Sequence, residues 1–323
     1  MSVLILEPVD ADIVQWLAER HVVVYDPDLA DDPQGLRAAL AQARALILPA
    51  AVAMDASLLR AAPKLRVLGR ISAGTENVDQ DACRAAGVEL IRHPEATAAA
   101  EAEFVLGALL SLLRRVPVQM EDGMWVGREL GCSTVGLIGM TPMTRVLAQL
   151  LPVMGARVLG YDPTLHVNDP LWARWGIEPQ PLKELMELSD AVSVQLPYFP
   201  RYRGLLGERV LGYARPGQVL VSIAHSALFD AAALAQALQG GRLLAAWLDI
   251  VEPELMEAGR PLASAPGLQV TPRLAGTTRE SRTRAAWGVA RRMAELLAPT
   301  LPAPQEALAA QPASVLAQPL SPA

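Results

Sequence analysis

Short runs rich in Val, Ile and Leu alternate with longer stretches of helical periodicity along most of the chain. That alternation predicts parallel strands joined by helices, because a parallel pair needs a long crossover, usually a helix. In the first third the strand runs are Val3–Glu7, Val22–Tyr25, Ala45–Leu48, Arg66–Arg70 and Val88–Ile91. The spacing predicts a helix over Ala98–Arg115, ending on Arg114 and Arg115, where cations complement the helix C-terminus. A polar, glycine-containing stretch over 121–131 then precedes a second series. Its strands are predicted at Thr134–Ile138, Arg157–Tyr161, Ala191–Gln195, Val219–Ser222, Leu244–Leu248 and Leu268–Thr271. A last helix over Arg279–Leu297 closes the pattern. Residues 298–323 are rich in Pro, Ala and Gln with almost no charge, the composition of a disordered tail. Two α/β series in 323 residues point to two domains.

The turn between Thr134–Ile138 and the helix predicted over Met143–Met154 is where a dinucleotide-binding loop would lie. A G-x-G-x-x-G fingerprint starting at Gly139 requires glycine at 141 and 144; this chain has Thr141 and Thr144. A β-branched side chain is expected to obstruct both the approach of a pyrophosphate and the packing of helix on strand. Thr141 followed by Pro142 reads instead as an N-cap and a proline at N1, with the Thr141 hydroxyl directed at a helix N–H.

Composition narrows the partners. The net charge is −6 and no Lys/Arg cluster stands out, which argues against nucleic acid and anionic membrane. The longest apolar run, Phe104 to Leu113, is too short to span a bilayer. No basic segment precedes the first strand, so a cytoplasmic protein is expected. Cys83 and Cys132 have no metal-site spacing and read as small buried packing residues, and His21, His93 and His166 suggest no metal ligation.

The order of motifs over about residues 1–297 resembles the D-isomer-specific 2-hydroxyacid dehydrogenase family. The stretch Ser72-Ala-Gly-Thr-Glu-Asn-Val-Asp79 resembles its substrate-carboxylate loop, placing Ser72, Ala73 and Gly74 as substrate-binding residues. Gly123-Met-Trp125 resembles the segment before the cofactor domain, and Tyr161-Asp162-Pro163 the end of its second strand. Arg203-Gly-Leu-Leu-Gly207, Arg215-Pro-Gly217, the run from Asp230 to Leu234, Leu248-Asp-Ile-Val-Glu-Pro-Glu254 and Ala275-Gly-Thr-Thr-Arg-Glu280 complete the set. The resemblance implies two doubly wound parallel-sheet domains. One is a flavodoxin-like substrate domain, residues 1–100 plus 280–297; the other is an inserted Rossmann domain, residues 101–279. It also implies an NAD(P) cofactor, a homodimer, and a cofactor site including Gly139, Thr141, Thr144, the ribose-binding Asp162 and the carboxamide-orienting Asp249.

The departures from the family pattern fall on its chemistry. The family's catalytic arginine, in an Asn-Thr-Ala-Arg-Gly pattern, corresponds to His225 in Ser222-Ile-Ala-His-Ser226. Its acid/base histidine, in a Thr-Pro-His pattern, corresponds to Arg273, while the supporting glutamate corresponds to Glu254. A guanidinium stays protonated over the accessible range, so Arg273 is no proton shuttle. It is expected to pair with Glu254, as a structural clasp or an anion site. His225 has the right proton chemistry from the neighbouring position, or is a strand-end histidine satisfied by backbone. Asp162 either caps a turn with Pro163 or meets a ribose, and Glu103, which matches a family glutamate, reads as a helix first-turn charge. The Ser72–Gly74 amides are placed to bind a carboxylate.

Three readings stay open. One is a family member with reduced or lost hydride transfer that binds a ligand or partner, a small acidic metabolite or a nucleotide. Another is an NAD(P)-dependent oxidoreductase acting on a 2-hydroxy or 2-oxo acid with a rearranged site. The last is a non-redox enzyme reusing the cleft.

Overall fold

A computed structural model describes residues 2–72, 74–75, 77–115 and 117–298. The substrate-loop residue Ala73 and the tail expected over 298–323, from residue 299 on, lie outside the described residues.

The first apolar runs form a five-stranded sheet: β1 (Ser2–Ile5), β2 (Val22–Tyr25), β3 (Ala43–Ile47), β4 (Val67–Gly69) and β5 (Glu89–Ile91). All pairings are parallel and the order is β2-β1-β3-β4-β5, the flavodoxin-like arrangement. An antiparallel hairpin follows, β6 (Val118–Gln119) with β7 (Trp125–Val126). The second series forms a seven-stranded sheet from β8 (Thr134–Ile138), β9 (Arg157–Tyr161), β10 (Glu178–Pro179), β11 (Ala191–Val194), β12 (Gln218–Ser222), β13 (Leu243–Leu248) and β14 (Leu268–Val270). Its order is β10-β9-β8-β11-β12-β13-β14, wholly parallel, with the direction of winding reversing between β8 and β11. Strands β11 and β12 are buried along their whole length, which is why they read as continuous apolar runs rather than alternating ones.

Three helices position the site. Helix α1 (Ala98–Arg115) buries Val105, Leu109 and Leu112 among Val135, Leu137 and Val221 of the second sheet. Helix α2 (Pro142–Val153) starts directly after β8. Helix α3 (Arg279–Leu297) crosses back, burying Val289, Ala290 and Met293 among Val3, Ile5, Ile47 and Val67 of the first sheet.

Three expectations change. Strands β6, β7 and β10 are two residues each, too short to carry a period, and the sequence reading passed over them. The first strand ends at Ile5, and Glu7 turns under α3 towards Arg282, 3.5 Å away. Cys83 is buried as expected, whereas Cys132 is exposed at the turn before β8.

Candidate functional site

A cavity of about 350 Å3 lies where the C-terminal ends of the strands of both sheets meet. It is lined by Arg70, Ser72 and Gly74 after β4, Glu101 on α1, Arg273 after β14 and Arg282 on α3, among others. Ligand sites of open α/β sheets lie at such strand ends.

Ser72 and Gly74 are held by a buried side chain. Arg70, 1% exposed, donates to Ser72 Oγ at 2.5 Å, to the Gly74 carbonyl at 3.2 Å and to the Leu48 carbonyl. Asn77 binds the carbonyls of Pro49 and Val52. A buried guanidinium satisfied in this way ties the backbone after β4 to that after β3.

Asp249 is 2% exposed and is spent on the loop that follows β14. Its carboxylate accepts from Thr271 Oγ1 at 2.6 Å, Leu274 N at 2.8 Å and Ala275 N at 2.9 Å. The Arg273 amide donates to the Asp249 carbonyl at 2.7 Å, with Arg273 at φ 57°, a left-handed conformation that costs a non-glycine residue about 1 kcal/mol. So Asp249 acts here on the backbone that carries Arg273 into the cleft.

At the switch between β8 and β11, Gly139 has φ 102°, and a Cβ there would meet the Leu196 backbone at 2.6 Å. Thr141 is the N-cap of α2 in a capping box: its side chain faces the Thr144 amide, as expected, and the Thr141 N–H donates back to Thr144 Oγ1 at 3.1 Å. Thr144 Oγ1 donates in turn to the Gly139 carbonyl at 2.7 Å, which also accepts from Gln195 Nε2 at 2.9 Å. Thr144 is fully buried, so the expected obstruction of helix on strand at the third glycine position does not arise; the hydroxyl fills the gap and is satisfied. Asp162 accepts from Met140 N at 2.8 Å with one oxygen, and from Thr164 N at 2.8 Å and Thr164 Oγ1 at 2.6 Å with the other. Hence the Met140 and Thr141 amides are both bonded within the protein, and Asp162 caps its own turn.

His225 follows β12, outside the residues that line the cleft. Its Nδ1 lies 3.1 Å from Glu252 Oε1 and 3.1 Å from the Ala227 amide, and its ring stacks on Tyr198 with centroids 4.9 Å apart. One Nδ1 cannot make both bonds together: the amide needs its lone pair and the carboxylate needs its proton. Glu252 Oε2 and Ser226 Oγ are buried without a hydrogen-bond partner among the described residues.

The placement of Glu254 is corrected. It is exposed on a 3-10 turn over Pro253–Met256, and no ion pair between described residues joins it to Arg273. The parallel register Ser222↔Leu248, carried past the strand ends, sets His225 beside residues 251–252, so Glu252 is its neighbour. The sequence reading also missed Glu101. It singled out Glu103, which is exposed, whereas Glu101 lines the cleft. Burial pushes the Glu101 carboxyl above the ordinary carboxylate range, opposed by the Thr97 hydroxyl and helped by the Asp249 charge.

Residues 106–275 match the family model described as D-isomer specific 2-hydroxyacid dehydrogenase, NAD binding domain. The chain is 36% identical over 267 residues to a D-3-phosphoglycerate dehydrogenase of Mycobacterium tuberculosis, covering 80% of this chain and 50% of that one. It therefore spans about half the length of the phosphoglycerate dehydrogenases it matches. It is 33% identical over 295 residues to an (S)-sulfolactate dehydrogenase of Chromohalobacter salexigens, covering 88% and 95%. The fold resembles that of a D-lactate dehydrogenase from Aquifex aeolicus solved with NAD and lactic acid, with a TM-score of 0.70, 22% identity, and 92% and 94% of the two chains covered. No helix among the described residues is long and apolar enough to cross a membrane.

Proposed function

The chain belongs to the D-isomer-specific 2-hydroxyacid dehydrogenase family, and on that premise we propose that it binds a small acidic metabolite in its inter-domain cleft while ordinary hydride transfer is reduced or lost. The observation that carries this reading is Arg273. It lines the cleft at the family's proton-donor position, and a guanidinium supplies fixed positive charge but no exchangeable proton near neutral pH. The imidazole that could replace it, His225, lies outside the cleft lining and is turned to Glu252 and Tyr198.

The residues present do not fit an intact dinucleotide in the family manner. The amides of Met140 and Thr141, which would meet the pyrophosphate, are bonded to Asp162 and Thr144, and a side chain stands at the second glycine position. On this reading residues 1–100 with 280–297 form one unit and 101–279 the other, and both line the ligand cleft. The protein is a cytoplasmic homodimer; Met120, Met124 and Trp125, exposed on and beside the β6–β7 hairpin, suit burial against a second copy.

One observation favours a second reading, an NAD(P)-dependent oxidoreductase on a 2-hydroxy or 2-oxo acid with a rearranged site. The 3.1 Å His225–Glu252 pair is the apparatus of a proton donor, and the two sequence relatives described above are named as dehydrogenases. Turnover of a panel of 2-oxo acids with NADH and NADPH separates the two: the first reading expects none, and steady turnover abolished by His225→Gln establishes the second.

A further inference from the structure

The outer strands of the two large sheets are β2, β5, β10 and β14. Edges invite pairing unless charge, polarity or proline discourages it. Glu89 does so on β5, Glu178 and Pro179 on β10, and Gln269 on β14. Strand β2 has no such residue: it is Val22-Val-Val-Tyr25, with Val22 63% and Val24 44% exposed. It pairs on one side only, with β1. The Asp26 amide continues that pairing, donating to the Ile5 carbonyl at 3.0 Å, so the even-numbered amides face β1 and those of Val23 and Tyr25 face outward. Among the described residues, no hydrogen bond from elsewhere in the chain reaches the backbone of Val23 or Tyr25.

We propose that this edge pairs, antiparallel and about a two-fold axis, with the same edge of a second copy, joining the two five-stranded sheets into one. The sequence is self-complementary in a single register. Centring the axis on Val23 lets the two Val23 residues exchange N–H···O=C bonds, and each Tyr25 amide meets the His21 carbonyl of the copy. The His21 amide is already given to the Leu17 carbonyl at 2.8 Å, so residue 21 contributes only its carbonyl. On the exposed face Val22 then lies opposite Val24, in the closer kind of antiparallel pair. Beyond them Arg20 lies opposite Asp26. Asp26 has no side-chain cap bond and no ion pair among the described residues. Arg20 spends only Nη1, on Glu19 and the Trp16 carbonyl, which leaves Nε and Nη2 without a partner among the described residues. Moving the axis by one residue sets Val24 against Arg20 or Val22 against Asp26, an apolar side chain against a charge. No residue of β2 lines the cleft, so the pairing leaves the ligand site open and does not rest on how that site is read.

Sedimentation of the full chain between about 1 μM and about 200 μM tests this. So short an edge gives reversible association on the order of 10 μM. Val22→Lys, at a well-exposed position, brings the mass at the highest concentration down to about half, whether or not the β6–β7 hairpin also joins copies. Arg20→Asp alone and Asp26→Arg alone each weaken the association by about fivefold or more, and the two together restore it, because the axis on Val23 sets position 20 against position 26. A parent no heavier than Val22→Lys at any concentration, or a double charge reversal that associates no more tightly than the single ones, overturns the proposal. Thermal unfolding of each variant checks that the fold is retained.

Discussion

The backbone amide of Arg273 donates to the carbonyl of Asp249 across 2.7 Å, and this bond holds Arg273 at φ 57° at the mouth of the cleft. Strain held at a non-glycine residue persists only where the surroundings over-determine it, and here the surroundings are the Asp249 carboxylate with its three donors. Asp249→Ala leaves the Leu274 amide and the buried Ala275 amide without acceptors. We expect a loss of about 2–4 kcal/mol in urea unfolding, and a smaller loss for Asp249→Asn, which keeps one acceptor.

Arg273→Gly separates strain from binding. Glycine adopts the left-handed region freely, so stability should rise by up to about 1 kcal/mol or stay level, after its larger unfolded-state entropy is counted. Carboxylate binding should fall by about tenfold or more, because a charge-assisted contact is lost. Thermal unfolding and calorimetry on one preparation read both.

Two acids, buried Glu7 and half-buried Glu101, set a pH trend in stability. Burial pushes Glu7 and Glu101 above the ordinary value of 4.5, with Arg70 and Arg282 pulling Glu7 partly back. A raised folded-state value means that full stability is present below 4.5 and is lost as pH rises through the folded value. Glu178, lowered by its Arg157 hydrogen bond, works in the opposite sense, losing its contribution only as pH falls below the ordinary range. Above that range, then, denaturation midpoints should decline with pH, and Glu7→Gln with Glu101→Gln should flatten the decline. An unchanged slope in the double variant would falsify the assignment.

Restoring the family residues should restore the family's ligand. The variant Thr141→Gly, Thr144→Gly, His225→Arg, Arg273→His frees the Thr141 amide and returns both catalytic side chains; we expect it to gain NADH binding that the parent lacks. Thr144→Gly also removes a buried hydroxyl bonded to Gly139, so a stability cost of about 1–2 kcal/mol should accompany the gain.

Much of the fold was legible because buried parallel strands read as continuous apolar runs: β8 and β9 fall on the predicted residues. What pattern alone left unread was neighbourhood across the sheet. Glu254 was preferred to Glu252 because it matches a motif, whereas the β12–β13 register decides which carboxylate meets His225. Glu101 was within reach. At 100° per residue it shares the apolar face of Val105 and Leu109, while Glu103 points to the other side, so helical periodicity already marked it as the acid turned towards the interior. Thr144 shows the opposite error: a rule about glycine was applied where a hydroxyl could fill the space and bond to it.

The reading of the cleft and the loop together stands most directly on one titration, NADH into the purified full chain, followed by energy transfer from tryptophan to bound nicotinamide. With the loop amides bonded to Asp162 and Thr144, we expect no saturable transfer below about 1 mM NADH. Saturable binding at micromolar NADH, accompanied by turnover of a 2-oxo acid, would contradict it.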